Sequence, residues 1–187
     1  MSHLQGNFFT MVKQLEIDAV VMPVSGYVRK NGDALIGGIS KLLVSRFYGL
    51  EDKTGKALTQ SNGLVCCVGE FDGVQVIAFP DRPDPKDLIQ YTHDFVCEPG
   101  QIVKGQHTNF VGKRLSEVPR WALVPSLEQL EMSCHQLMAL RNKEQWQRVA
   151  LLRPSYPLPF DAVKERMDRI LATDHFALIT IQKGTNP

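Results

Sequence analysis

The sequence has no apolar run approaching the ~20 residues that a membrane-spanning helix requires. Its first stretch, Met1–Val12, is too polar to read as a secretory leader. Nor is there an excess of either charge. With 21 basic and 20 acidic residues the net charge is +1, so no electrostatic footprint marks a nucleic-acid or membrane surface. Only four cysteines occur (Cys66, Cys67, Cys97 and Cys134), and their spacing suggests no disulfide framework. Together these absences predict a soluble, cytoplasmic protein with reduced thiols. Cys66 and Cys67 are neighbours in a strand-like pattern, so they face opposite sides and read as small core residues. His93, Cys97 and His107 are separated by four and ten residues with no Cys-x-x-Cys pair, so neither a metal nor a cofactor is expected. Trp121 and Trp146 lack interleaved basic and aromatic neighbours and read as packing residues.

What the sequence does have is concentrated in residues 19–47. An apolar run, Ile17–Met22, stops at Pro23 and opens into a loop containing Gly26, Asn31, Gly32, Gly37 and Gly38. A helical pattern over about Gly38–Phe47 follows, with Leu42, Leu43 and Phe47 on one side. Strand, glycine loop and helix present free backbone N–H groups that favour an anion, most often a phosphate. The spacing fits neither the Gly-x-Gly-x-x-Gly fingerprint nor the P-loop, because Gly-Gly-Ile-Ser-Lys inverts the order of the latter. Two readings stay open: a phosphate cradle, or a connection whose glycines only let the chain turn.

Elsewhere the pattern alternates. Gly6–Val12 reads as a first strand or its approach, Gly49 as a helix stop, and Asp52–Asn62 as a polar connection turning at Ser61-Asn62-Gly63. Leu64–Gly69 and Val74–Phe79 flank Asp72-Gly73, a hairpin signal. Three prolines in residues 80–85 end that hairpin. Residues 84–125 read as an insertion lying over the surface of a single domain spanning 1–187, with Leu88–Phe95 as a helical segment within it. Ser126 is placed to cap a helix with Leu127, Leu130, Cys134, Leu137 and Met138 on one face. Val149–Leu152 is a strand, Arg153–Pro159 a proline-rich loop, and Asp161 the cap of a helix bearing Val163, Met167, Ile170 and Leu171. Phe176–Ile181 closes the pattern as a strand before a loose tail. Strands alternating with helices around a central hairpin predict an α/β fold with a mixed sheet, its pocket formed by the loops after Met22 and Leu152.

In order and spacing, four stretches resemble a macro domain of the ADP-ribose 1''-phosphate phosphatase-like group, found in phage and bacteria. They are Gly6-Asn7, Asp18–Arg46, Val76–Pro80 and Arg148–Thr180, and the likeness they anchor covers roughly two thirds of the chain, leaving residues 84–125 unmatched. The resemblance implies a macro-domain-like three-layer α/β/α architecture around a mixed sheet. It also implies an ADP-ribose-like ligand held by Asn7, Ser25, Gly26, Gly37, Gly38, Ile39, Ser40, Ser155 and Tyr156.

The departures from the family pattern are chemical. Where the family has an aspartate accepting from the adenine amino group, this chain has Asn7, an uncharged acceptor. Ser25 replaces the asparagine that contacts the distal ribose and assists catalysis in hydrolytic members. The glycine-rich second phosphate loop is Pro-Ser-Tyr-Pro-Leu-Pro, which removes N–H donors and adds side chains. Tyr156 either stacks on a base or ribose or plugs the cleft. Asp33 is the carboxylate placed to act as general base, or else part of an Asn-Gly-Asp turn. Arg29 and Lys30 would steer an anion or are solvated surface charges.

Three functions follow, in this order. The first is an ADP-ribose or related nucleotide-binding module. The second is a protein-interaction domain whose insertion contacts a partner. The third is a phosphatase or ADP-ribosyl hydrolase using Asp33 and Ser25. No membrane or nucleic-acid partner is expected.

Overall fold

The computed structural model describes residues 1–26, 28–29, 31–81, 127–154 and 158–181, and between them only the backbone of five two-residue strands. In chain order the elements are β1 (Ser2–Gly6), α1 (Phe8–Gln14), β2 (Ala19–Val24), a 3-10 turn (Gly38–Ser40) running into α2 (Lys41–Arg46), α3 (Leu50–Gln60), β3 (Cys66–Phe71) and β4 (Val74–Pro80). The short strands are β5 (Thr92–His93), β6 (Val96–Cys97), β7 (Ile102–Val103), β8 (Phe110–Val111) and β9 (Ser116–Glu117). Then come α4 (Leu127–Glu144), β10 (Val149–Leu152), α5 (Phe160–Ile170) and β11 (Phe176–Ile181).

Six strands form one sheet in the order β1-β11-β10-β2-β4-β3. All pairings are parallel except β3 with β4. The inner strands are apolar on both faces, and alternate residues go to opposite layers. Val20, Met22, Val24, Val76 and Leu152 pack with Phe8, Leu43, Leu50 and Leu58, under α1 to α3. Val21, Ile77, Phe79 and Leu151 pack with Leu130, Leu137, Val163 and Met167, under α4 and α5. The result is the three-layer α/β/α arrangement around a mixed sheet.

Several boundaries differ from the sequence reading, each for a local reason. Residues 8–14 are helix, not strand: Asn7 caps it by accepting from the Thr10 N–H at 3.1 Å, and Phe8 and Val12, four apart, are its buried residues. Residues 50–60 are a helix rather than a polar connection. Three of its buried residues, Leu50, Thr54 and Leu58, sit at a spacing of four with the buried Gly55 beside them, a stripe narrow enough to be hidden among Lys, Asp and Gln. Asp161 lies in the first turn of α5 while Pro159 occupies the cap position. Cys66 is half-buried and Cys67 exposed, because β3 is an edge strand and not part of the core.

The hairpin is as expected, with Asp72 and Gly73 at φ 50° and 79°, the pair of positive angles that a two-residue turn needs. Gly49, at φ 74°, separates α2 from α3. The Ser126 cap, most of the 84–125 stretch and the tail lie outside the described residues. The described part of the expected 88–95 helix, Thr92–His93, is paired as strand with β6.

Candidate functional site

The crevice at the strand tips begins with Pro23. Ala19 donates its N–H to the Arg148 carbonyl next to β10, and the alternation of a parallel ladder gives the same role to residues 21 and 23. Pro23 has no N–H. Pairing with β10 stops at Val21–Leu151, whereas pairing with β4 continues to Val24–Pro80. Strand β2 therefore runs past the proline, not up to it, and it parts from β10 where the two loops begin. The Pro23 carbonyl instead accepts the buried Ser40 hydroxyl at 2.5 Å, which ties the start of α2 to the strand tip.

That tie positions the glycine pair. Gly37 is buried and extended, and Gly38 has φ 58°, a left-handed angle that favours glycine. Among the described residues no hydrogen-bond acceptor takes up the Gly37 or Gly38 amide. Ile39 is half-buried and packs against the core beneath α1 to α3. Of the expected ligand residues in this loop, Gly37 and Gly38 have unclaimed amides, while Ser40 uses its side chain to hold the loop.

The loop before them is a small hairpin. Val28 bridges Ala34, Arg29 N–H donates to the Asp33 carbonyl at 2.8 Å, and Gly32 N–H donates to the Arg29 carbonyl at 2.9 Å. The Asp33 carboxylate accepts from the Asn31 side-chain amide at 2.6 Å, and the Asp33 N–H donates back to that side chain at 3.1 Å. This is the turn chemistry of an Asn-Gly-Asp sequence. The Ala34 N–H donates to Glu51 of α3 at 2.9 Å, and a Cβ on Gly55 would lie 1.8 Å from the Gly32 carbonyl oxygen. Gly55 is the residue that lets hairpin and helix meet.

The remaining expected residues are placed as follows. The Asn7 side-chain oxygen serves the Thr10 N–H and hydroxyl, at 3.1 and 3.2 Å, so the acceptor expected to face a base caps α1. Ser25 follows β2 and is only 1% exposed, so its hydroxyl is enclosed. Gly26 beside it is partly exposed. Ser155 and Tyr156 lie outside the described residues, so neither reading of Tyr156 bears on this geometry.

Two residues were not singled out from sequence. Arg153, at the tip of β10, stacks its guanidinium 4.5 Å from the centre of the Phe160 ring. Asp81, at the tip of β4, is fully buried and donates its N–H to the Val24 carbonyl at 3.1 Å. The signal for both was their position: each directly follows a strand, or its closing proline, on the side where such sheets take ligands.

The mixed six-stranded sheet between two helical layers, with its glycine loop after β2, is a macro-domain fold. Two solved structures it resembles are the macrodomain of Thermus aquaticus DarG, at TM-score 0.57 and 14% identity over 97% of each chain, and the macrodomain of Mycobacterium tuberculosis DarG, at TM-score 0.52 and 16% identity over 87% of this chain and 88% of that one. At such identities the likeness is one of fold. No family profile matches the sequence, and no curated protein does. Among the described residues no helix is long and apolar enough to cross a membrane, and no three His, Cys, Asp or Glu side chains are grouped to hold a metal.

Proposed function

We propose that this chain is an ADP-ribose or related nucleotide-binding macro-like domain with weak or no catalysis. The observation that carries the reading is the pair of unclaimed amides at Gly37 and Gly38, next to the point where β2 and β10 part. Backbone N–H groups in a glycine loop suit a diphosphate, each contact to an anion being worth ~1.5–3 kcal/mol.

Two observations support weak or absent catalysis. Ser25 is enclosed, and the Asp33 carboxylate is held by Asn31 within a turn, so neither side chain is set to position water. The reading of the fold as a protein-interaction module is the alternative. It gains from Asn7, whose acceptor is committed to capping α1 instead of facing a base.

Isothermal titration calorimetry with ADP-ribose separates the two. Saturable heat, reduced in Gly38→Val, is the expected result. No heat and no thermal shift at millimolar ligand would remove the nucleotide reading. Phosphate release from ADP-ribose 1''-phosphate that is lost in Asp33→Ala would instead make the protein a phosphatase.

A further inference from the structure

On the layer formed by α1 to α3, a cavity of about 520 Å³ lies between α1, α2 and the β3–β4 hairpin. Its floor is sheet: Val20 and Val76, directly paired across β2 and β4, with Phe8 and Leu43 above them, all nearly fully buried. The hollow opens to solvent past the exposed Lys13, Ser45, Arg46 and Asp72. It falls within the range of small-molecule pockets, which are mostly apolar with a few polar groups at fixed places.

The lining has a direction. Phe9, Phe47 and Phe71 form a chain of rings along it. Phe9 meets Phe47 edge-on at 6.5 Å and 90°, and Phe47 meets Phe71 at 4.9 Å and 33°. Rings so arranged offer both edges and faces to a flat guest. Four lining residues are exposed and mark the mouth, Lys13, Ser45, Arg46 and Asp72, and three of them are charged. Arg46 pairs with Asp72 at 3.0 Å, but both side chains are more than half exposed, so the pair is weak and open to exchange with another acid. Lys53 lies 4.5 Å from the centre of the Phe71 ring, outside the lining itself. Among the lining residues two cations, Lys13 and Arg46, stand against the one carboxylate of Asp72, a balance that favours an anion.

We infer that this cavity binds a small molecule with a flat, apolar ring system bearing one acidic group, the rings among the phenylalanines and the acid at Lys13 and Arg46. The site does not rest on the nucleotide reading. Of the residues expected to hold a nucleotide it shares only Asn7, and its other walls are helix flanks, the sheet face and the β3–β4 hairpin rather than the loops after β2 and β10.

Fluorescence titration of the full chain with two probes tests it: anilinonaphthalene sulfonate, which carries an acid, and phenylnaphthylamine, the same rings without one. Both are expected to bind saturably, one per chain. The double variant Lys13→Glu/Arg46→Glu changes only exposed side chains. It should weaken the sulfonate about tenfold at low salt and leave the neutral amine within about twofold. Val20→Phe should exclude both. If that variant does not fold, the charge-reversed protein still decides. Absence of saturable binding of either probe overturns the site, as does binding of both that Val20→Phe leaves intact. Equal binding of the sulfonate before and after charge reversal overturns the acid-recognising end. ADP-ribose calorimetry on Lys13→Glu/Arg46→Glu is expected to match the parent protein, so failure of either proposal leaves the other standing.

Discussion

The Ser40 hydroxyl donates to the Pro23 carbonyl at 2.5 Å across 17 residues of chain, with Ser40 fully buried. The β2–β10 ladder ends before Pro23, and the Pro23 carbonyl is taken up instead by the residue that caps α2, so the glycine loop is anchored where the two strands part. Ser40→Ala would leave that carbonyl without its partner in a buried setting, at ~1–3 kcal/mol. Urea unfolding should show a lower midpoint with an unchanged slope. Under conditions where both proteins are folded, the variant should also bind ADP-ribose more weakly, because the Gly37–Gly38 segment loses its tether.

Gly38 and Gly49 make a matched pair. Both adopt left-handed angles, φ 58° and 74°, so alanine at either costs roughly 1–2 kcal/mol of backbone strain. Only Gly38 belongs to the proposed cradle. Gly38→Ala and Gly49→Ala should therefore lower thermal stability alike, while calorimetry with ADP-ribose separates them, with Gly38→Ala weaker and Gly49→Ala unchanged. Equal affinities in the two variants would remove Gly38 from the site.

Sequence periodicity placed most of the sheet and the helices α4 and α5, since four- to seven-residue apolar strands and the stripe of Leu130, Cys134 and Leu137 are strong signals. It failed at α1 and α3 because each buries one narrow stripe and otherwise carries the polar residues of a loop. It failed at Pro23 because a proline ends one ladder without ending the strand, a distinction that depends on which neighbour each rung faces. In the site, the glycines were legible and the side chains were not. Nothing local to Ser40 or Asn7 reveals that one binds a strand carbonyl and the other a helix amide. The phenylalanine-lined cavity has no sequence signature at all, because its walls come from six separate elements.

Gly55 reverses an ordinary expectation. Mid-helix glycine is normally ~1 kcal/mol worse than alanine, so Gly55→Ala should stabilise α3 if propensity alone decided. The added Cβ would instead lie 1.8 Å from the Gly32 carbonyl oxygen and 2.9 Å from the Ala34 nitrogen, both backbone atoms that cannot rotate away. The 28–34 hairpin would have to lift from α3 and lose the Ala34–Glu51 hydrogen bond. Net destabilisation in urea is expected, together with faster amide exchange at Ala34. A more stable Gly55→Ala protein would mean that the hairpin does not rest on the helix.

Acid should loosen the contact between α4 and α5 first. Hydrogen bonding from Arg166, aided by its charge and that of Arg169, holds the Glu131 carboxyl below its ordinary value of 4.5. Burial pushes Asp168 upward, but hydrogen bonds from Lys164 and His3 outweigh it and its net shift is also down. A carboxylate with a lowered folded pKa contributes stability that is fully present above its unfolded value and is lost as pH falls through the folded one. Unfolding free energy should therefore be level near neutrality and decline below about pH 4.5. Glu131→Gln should be less stable than the parent at neutral pH and decline less steeply in acid, the two curves converging once Glu131 is protonated in both states. Asp168 remains in the variant, so part of the slope must survive. A gap between parent and variant that stays constant down to about pH 3 would show that the charge on Glu131, as distinct from its shape, contributes nothing to holding the two helices together.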